Sequence, residues 1–394
     1  MTELRTELRT ELGTEQFDCV VIGGGPVGAA AALELDAAGL RVLLIESRET
    51  AAPIAGDTRP LALSYGSRLI LERLGVWDAL AAATPIERIH ISHRGRFGRA
   101  VLTAAEAELP ALGYVLDYGT LTTALDDAIA SRGLRTLRGA RVTSIAHDRT
   151  SARIEFATAQ GPGACFASVV AVADGTADTA GVEVRVVDYG QSAVSARVET
   201  DRGHSRTAYE RFTSEGPLAL LPHGGGYAVV WTTPAEHAQR MCDATPAAFL
   251  AELQERFGER AGRFTAVSAR AAHRVALRVA ERTTSGRAAL IGNSAQALHP
   301  VAGQGFNLGL RDAWELAGET ARRGPGDEAL LLAYGARRRI DRTGAVAFTH
   351  ALVKVFSNDW LPLGLARGAG LTLLDSLPPA KNFVVRRMIF GSRG

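Results

Sequence analysis

Cysteine is scarce. Cys19, Cys165 and Cys242 are the only three in 394 residues, far apart and outside any CxxC or Cys/His cluster. That excludes a disulfide framework and a structural zinc site, makes a reducing compartment the default, and leaves no metal expected. A field of one sign is missing too. The formal net charge is +2, and the 22% of charged residues are mixed in sign along most of the chain. No nucleic-acid partner is expected from such a surface. No uninterrupted apolar run approaches the ~20 residues of a membrane span. The N-terminus lacks the apolar core and small-residue cleavage site of a secretory leader, so the expected location is cytoplasmic. What remains is an ordinary globular composition, long enough for a large core and two domains.

The chain opens on a four-residue repeat, TELRTELRTELGTE, which reads as an extension without fixed structure. Residues 17–22, FDCVVI, form a buried-strand run that ends in glycines. Small and apolar residues over 26–38 suit a tightly packed helix, and RVLLIE at 41–46 is a second buried strand. This is the order of a βαβ unit. A hairpin pattern at 86–103 turns around Arg94-Gly95-Arg96 and interrupts the α/β sequence. Its Arg94, Arg96 and Arg99 read as a solvated face. A helix is expected near 121–131, strands up to VVAVADG at 169–175, and a strand-rich stretch over 183–233. A helix at 246–257, strands near 264–280 and a helix after Gly305 follow. The pattern predicts one nucleotide-binding domain made from separated segments, plus a β-rich domain made from two insertions.

Gly23-Gly24-Gly25-Pro26-Val27-Gly28 is a GxGxxG that directly follows a strand and opens a helix. Gly23 permits the tight turn, Gly25 lets a pyrophosphate approach the backbone, and Gly28 lets helix and strand pack closely. The helix N-terminus then offers free N–H groups and the positive end of its dipole to the phosphates. Glu46 ends the next strand, 18 residues after Gly28, where a carboxylate can accept hydrogen bonds from a ribose. The fingerprint alone does not separate NAD from FAD. No second such loop occurs, and its place near the chain start favours one tightly held FAD.

Further motifs are more restrictive. They include LLIESR, DTRPLALSYGSRLILERLGVWDAL, ADG at 173–175, DYGQSAVSARV and YERFTSEGPLALLP. GNSAQALHPVAGQGFNLGLRD at 292–312 and FSNDWLPLGLARGAGLTLLD at 356–375 complete the set. On these residues the chain, from about residue 17 on, resembles the flavin-dependent aromatic hydroxylases of the p-hydroxybenzoate hydroxylase superfamily. It is most similar there to the ubiquinone-biosynthesis hydroxylases, on the 2-polyprenyl-6-methoxyphenol hydroxylase branch. Asn293 and Gln296 are the variants this branch leads one to expect within the superfamily's GDAAH-type motif.

The resemblance implies an α/β fold with a Rossmann-like FAD-binding domain built from discontinuous segments, 17–85, 110–182 and 284–345. It implies a β-rich substrate domain from 86–109 and 183–283, a helical C-terminal region over 346–394, and an extension over 1–16. It also implies that Ser47, Arg48 and Arg59 lie near the adenosine and pyrophosphate. Gly292 and Asn293 would meet the ribityl or phosphate part, and Pro300, Gly303, Gln304, Gly305, Phe306 and Asn307 would run beneath the flavin ring. Two departures stand out. Asp174-Gly175-Thr176-Ala177-Asp178 replaces DGxxSxxR, and Gly119, Thr122 and Thr123 stand where an Arg or Gln is common.

The implied cycle is reduction of FAD by NAD(P)H, addition of O2 to give a flavin hydroperoxide, and oxygen transfer to a phenol ring. Backbone N–H groups of 303–305 and of the helix starting near Phe306 are expected to meet the negative charge of reduced flavin. His299 is the one candidate acid/base residue, beside its reading as a structural imidazole that holds the loop. Tyr189, Tyr209 and Tyr227 read as ring-lining or core residues. The implied substrate is a prenylated phenol. The apolar tail, interrupted by Arg367, Asp375 and Lys381, suits either packing onto the domain or a peripheral contact at the inner face of the cytoplasmic membrane. Other ubiquinone-pathway proteins and a second copy of the chain are further partner expectations. The competing readings are a hydroxylase of a soluble aromatic or polyketide phenol, and a flavin-binding scaffold without hydroxylation. A halogenase is disfavoured because Trp77, Trp231, Trp314 and Trp360 make no WxWxIP.

Overall fold

The computed structural model describes residues 15–50, 59–356 and 360–393. Nearly all of the repeat at the chain start lies outside them. The strand Gln16–Ile22 is apolar at successive positions because both its faces are covered, and from Cys19 to Ile22 it is buried throughout. It pairs in parallel with Val42–Glu46 on one side and Gly161–Val172 on the other. Ala288–Leu290 and Thr136–Arg138 extend the same eight-stranded sheet in parallel, and Ala152–Thr158 adds an antiparallel arm. Gln16 already belongs to the first strand, so the expected extension is shorter than 16 residues.

Helix α1 (Pro26–Ala37) follows the glycine loop with proline at its first position and alanine on all sides. A helix without a polar face belongs in an interior, and Ala29 to Leu33 are buried to 1% or less. α2 (Tyr65–Arg73) is capped by the Ser64 side chain, which accepts from the Ser67 N–H. It stands beside a three-stranded antiparallel sheet, Pro60–Ser64, Gly113–Asp117 and Thr84–Ile86, which the sequence pattern did not indicate. α3 (Tyr118–Ser131) packs against α1.

The hairpin Arg88–His93 and Arg99–Thr103 joins the strands from 184 to 280 in one nine-stranded sheet. The junction is parallel, between Arg88–His93 and Thr207–Thr213. One face of this sheet is covered by α4 (Ala235–Asp243) and α5 (Pro246–Phe257), which bury Trp231, Phe249 and Phe257 between them. α4 lies between the strand-rich stretch expected over 183–233 and the helix expected at 246–257, where the sequence pattern indicated no element. Its apolar residues are too few to announce a helix without the sheet beneath them.

After Leu290 the chain leaves the first sheet, and Gln296–Ala297 pairs with Ala271–Ala280 at the edge of the second. It then returns as α6 (Gln304–Arg323) to pack on α1. The segment 291–303 therefore crosses from one sheet to the other. α7 (Leu330–Phe356) runs without a break through the boundary expected at 345–346, with Gly344 inside it. α8 (Leu361–Ser376) and α9 (Pro378–Phe390) close the fold against the hairpin and α2.

Candidate active site

The glycine loop is shaped by contacts that leave no space for side chains. Gly23 has φ +96°, and a Cβ there would lie 2.7 Å from the Ala173 carbonyl oxygen. A Cβ at Gly28 would collide with the carbonyl oxygen of Gly23. Gly25 faces open space by contrast, with only the Tyr118 hydroxyl at 3.9 Å from its hypothetical Cβ. It is the N-cap of α1 and brings no side-chain cap, and Pro26 follows it. The free donors of that first turn are thus left for an external anion.

Glu46 is buried at the end of its strand. Its Oε2 accepts the Gly24 N–H at 2.5 Å, and its Oε1 accepts the Arg48 N–H at 2.8 Å and the Ser47 hydroxyl at 3.2 Å. Arg48 in turn donates to the Gly24 carbonyl at 3.0 Å. Both the N–H and the carbonyl of Gly24 are therefore pinned by residues at the end of the next strand and just after it. Lone pairs on the carboxylate remain for ribose hydroxyls. Arg59 stacks over the Tyr118 ring at 4.6 Å, so Tyr118, which nothing in the sequence singled out, stands between Arg59 and Gly25.

Val27 joins the two loops. A Cβ at Gly292 would lie 3.0 Å from Val27 Cγ1, and one at Gly309 would lie 2.8 Å from Val27 Cγ2. Gly292 donates its N–H to Asp312 Oδ2 at 3.1 Å, as does Gln296 Nε2 at 2.7 Å. Arg338 Nε donates to Asp312 Oδ1 at 2.7 Å, and Arg342 Nε to Gln296 Oε1 at 3.1 Å. Burial works against the Arg338 charge, but Asp312 and Asp341 outweigh it and raise its pKa. Gln296 is thereby part of the clamp on the loop's back, 1% exposed. Asn293 is exposed on the short turn beside it, lining a crevice with Gly175 and Thr176. Asp174 is tied to the same turn through the Ser294 hydroxyl at 3.2 Å.

α6 begins at Gln304, two residues before the expected start near Phe306. Its N-cap Gly303 sits at φ 59° with no side-chain cap and no acid in the first turn. Asn307 has spent its whole amide within the protein. Oδ1 accepts from the Ser64 N–H and the Ser67 hydroxyl at 2.8 and 2.7 Å, and Nδ2 donates to the carbonyls of Ala62 and Gly303 at 2.9 and 2.7 Å. It positions the loop against the strand Pro60–Ser64, and its side chain has no capacity left for a cofactor.

His299 is fully buried. Its Nδ1 accepts the Val301 N–H at 3.2 Å, which leaves the proton on Nε2, 3.4 Å from Gln191 Oε1. Burial lowers its pKa to about 4. A neutral ring with both nitrogens engaged fits the loop-holding reading, and the residue also lines the cavity described next. Tyr189 lies edge-on to it at 5.6 Å and bonds His350 Nδ1 at 2.8 Å, while Tyr227 is buried under α4 and α5.

Above Pro300, Gly303 and Gly305 opens a cavity of about 440 Å³. Its walls are the inner face of the second sheet, with Ile89, Ile91 and Leu221, and the C-terminal helices, with Leu371, Val385 and Met388. Among the described residues no group of three His, Cys, Asp or Glu side chains is arranged to hold a metal ion. No helix there is long and apolar enough to cross a membrane.

A glycine loop on a parallel strand, an acid on the next strand and a second uncapped helix N-terminus beneath an apolar cavity are the arrangement of a dinucleotide-binding flavoprotein. Comparison with known proteins agrees. Residues 16–349 match the family described as FAD binding domain. The chain is 34% identical to ubiquinone hydroxylase UbiL of Rhodospirillum rubrum, over 94% of this chain and 88% of that protein. It is 31% identical to 3-demethoxyubiquinol 3-hydroxylase of Escherichia coli, over 90% and 93%. The p-nitrophenol 4-monooxygenase PnpA of Pseudomonas putida DLL-E4 shares the fold, with a TM-score of 0.74 at 21% identity over 95% of this chain and 97% of that one. The chain belongs to the family of FAD-dependent aromatic hydroxylases that includes the ubiquinone hydroxylases.

Proposed function

We propose that this protein hydroxylates the ring of a polyprenylated phenol in ubiquinone biosynthesis, with FAD as resident cofactor, NAD(P)H as electron donor and O2 as oxidant. The chemistry of the cavity wall carries the reading. Among the described residues the lining contains no lysine or arginine, and apart from Glu210 and a few polar groups it is dominated by aliphatic and aromatic side chains. An aromatic acid would bring a carboxylate that such a wall leaves unpaired. A neutral phenol with an isoprenoid tail gains about 0.8 kcal/mol for each CH2 it buries there.

Bound FAD supplies hydride acceptance and O2 activation. The chain's own residues bind, orient and dry the site. The first turn of α1, opened by Gly25, would hold the pyrophosphate, with Glu46 reaching the ribose and Arg48 fixing the loop. The uncapped start of α6 would aim backbone N–H groups at developing negative charge on the ring. Leu371, Val385 and Met388, which line the cavity, would keep water from a ring held there. A peripheral membrane contact belongs to the same reading, since the substrate partitions into lipid. It is supported by the exposed Trp360, Leu365, Leu373 and Phe383 of the C-terminal region.

The test is O2-dependent product formation by the FAD-loaded protein on prenylated and unprenylated forms of one phenol. The prenylated form is expected to be preferred by at least about tenfold in kcat/KM for the first isoprene unit. Equal or better turnover of a short carboxylated phenol would overturn the assignment.

A further inference from the structure

His90 is 6% exposed, yet neither of its ring nitrogens has a hydrogen-bond partner. Buried polar atoms are almost always satisfied, so this ring marks an incomplete site. It stands on the strand Arg88–His93, where side chains alternate between the two faces of the sheet. Ile89 and Ile91 point into the apolar cavity, while His90 and Ser92 line a separate cleft of about 710 Å³.

The cleft gathers cations. Ser92 is flanked in register by Arg99 on the hairpin and by Arg211 on the strand Thr207–Thr213. Arg96 comes from the hairpin turn and Arg260 from the loop after α5. Arg211 Nε is buried without a partner. Among the described residues Asp375 of α8 is the only carboxylate in the lining, and it already accepts the Val101 N–H at 2.9 Å with Lys381 at 3.8 Å. The sequence pattern suggested a solvated arginine face. Arg94 fits that reading, paired with Glu255 at the surface at 3.0 Å. Arg96 and Arg99 instead converge with guanidiniums from two other segments. Burial, then the nearby Arg260, Arg99 and Arg211 charges, hold the His90 pKa down to about 4, with a backbone contact opposing them. The ring is therefore a neutral N–H donor in a cleft where four guanidiniums face a single carboxylate.

We propose that this cleft binds a phosphate-bearing anion, with Arg96, Arg99, Arg211 and Arg260 as its cationic walls and the His90 N–H as an inner donor. Guanidinium forks match phosphate oxygens in pairs, and four of them around one cleft exceed what a single carboxylate ligand needs. The site lies on the opposite face of the sheet from the substrate cavity, so it is distinct from the reaction centre. Two sources present this chemistry: free phosphate or pyrophosphate, and the headgroup of an anionic phospholipid. Phe97 and Leu373, each next in sequence to lining residues, are exposed and suit acyl chains beside a headgroup.

The FAD-loaded protein is titrated with inorganic phosphate and pyrophosphate by calorimetry, and sedimented with phosphatidylglycerol or phosphatidylcholine vesicles. The same measurements are made on Arg99→Ser/Arg260→Ser, whose side chains are exposed, and on Arg99→Lys/Arg260→Lys. Binding in at least one arm is expected, weakened at least about tenfold in the serine variant with unchanged flavin content, and less in the lysine variant. Competition between pyrophosphate and phosphatidylglycerol vesicles assigns the site to the headgroup. Pyrophosphate binding without vesicle competition assigns it to the free anion. Absence of pyrophosphate binding together with no excess of phosphatidylglycerol over phosphatidylcholine sedimentation, or serine substitutions that change neither the pyrophosphate binding nor that excess, overturns the proposal. Because binding is read directly, the result does not depend on which phenol is hydroxylated.

Discussion

Gly305 stands in the first turn of α6, and beyond that turn no atom lies within 4 Å of where its Cβ would be. The protein itself therefore tolerates alanine, which should stabilise the cofactor-free chain by about 0.5–1 kcal/mol through helix propensity. A flavin ring over this position would lose that room. Gly305→Ala is expected to weaken FAD retention by about tenfold or more, the cost of about 1–3 kcal/mol of overpacking. Thermal melts and flavin spectra of the washed protein read the two effects separately. Unchanged flavin content would contradict the ring's approach to Gly305. His299 makes a second residue-scale prediction. Its folded pKa, about 4, lies below the ordinary 6.5. Its contribution to stability is complete above pH 6.5 and is lost as pH falls towards 4, at up to about 1.4 kcal/mol per pH unit. Denaturant unfolding of His299→Gln between pH 7.5 and 4.5 should show a shallower loss than the parent protein. Parallel slopes would remove His299 from the account.

At the scale of elements, the C-terminal helices invert what their sequence suggests. Arg367 and Lys381 interrupt the apolar pattern, but Arg367 is 5% exposed beside the Phe356 ring and Lys381 reaches Glu106 at 2.8 Å. The polar residues face the protein, and Leu365, Leu373 and Phe383 face outward at 51%, 60% and 67% exposure. An exposed apolar face of this kind suits the membrane contact proposed above. Trp360→Ser/Phe383→Ser is expected to reduce sedimentation with neutral phosphatidylcholine vesicles several-fold and to leave turnover of a detergent-solubilised substrate unchanged. Equal sedimentation of variant and parent would rule out these side chains as the membrane contact. α6 shows the reverse case. Its N-terminal glycines and their polar loop were readable, but the start at Gln304 was set by Asn307 bonding back to the Gly303 carbonyl.

For the whole molecule, the first βαβ unit, the strand-rich middle and the helix at 246–257 were legible because each carries its own periodicity and punctuation. α4 and the small sheet around Gly113–Asp117 were not, since short segments with mixed faces declare themselves only against neighbours. The same holds within the site. GGGPVG and Glu46 follow from local backbone needs: tight turn, close approach, and an acid at the end of a strand. Tyr118 over Gly25 and the Asp312–Arg338 clamp behind Gly292 join residues far apart in the chain, so no spacing rule could reveal them. The sequence by itself determined a dinucleotide loop and a loop built for close cofactor approach, because glycine φ angles and helix ends are local properties. Only the tertiary structure decided that segment 291–303 crosses between two sheets, that His299 is neutral and enclosed, and that Arg96, Arg99, Arg211 and Arg260 converge. Each of those depends on which distant surfaces meet, and burial and charge are set by that meeting.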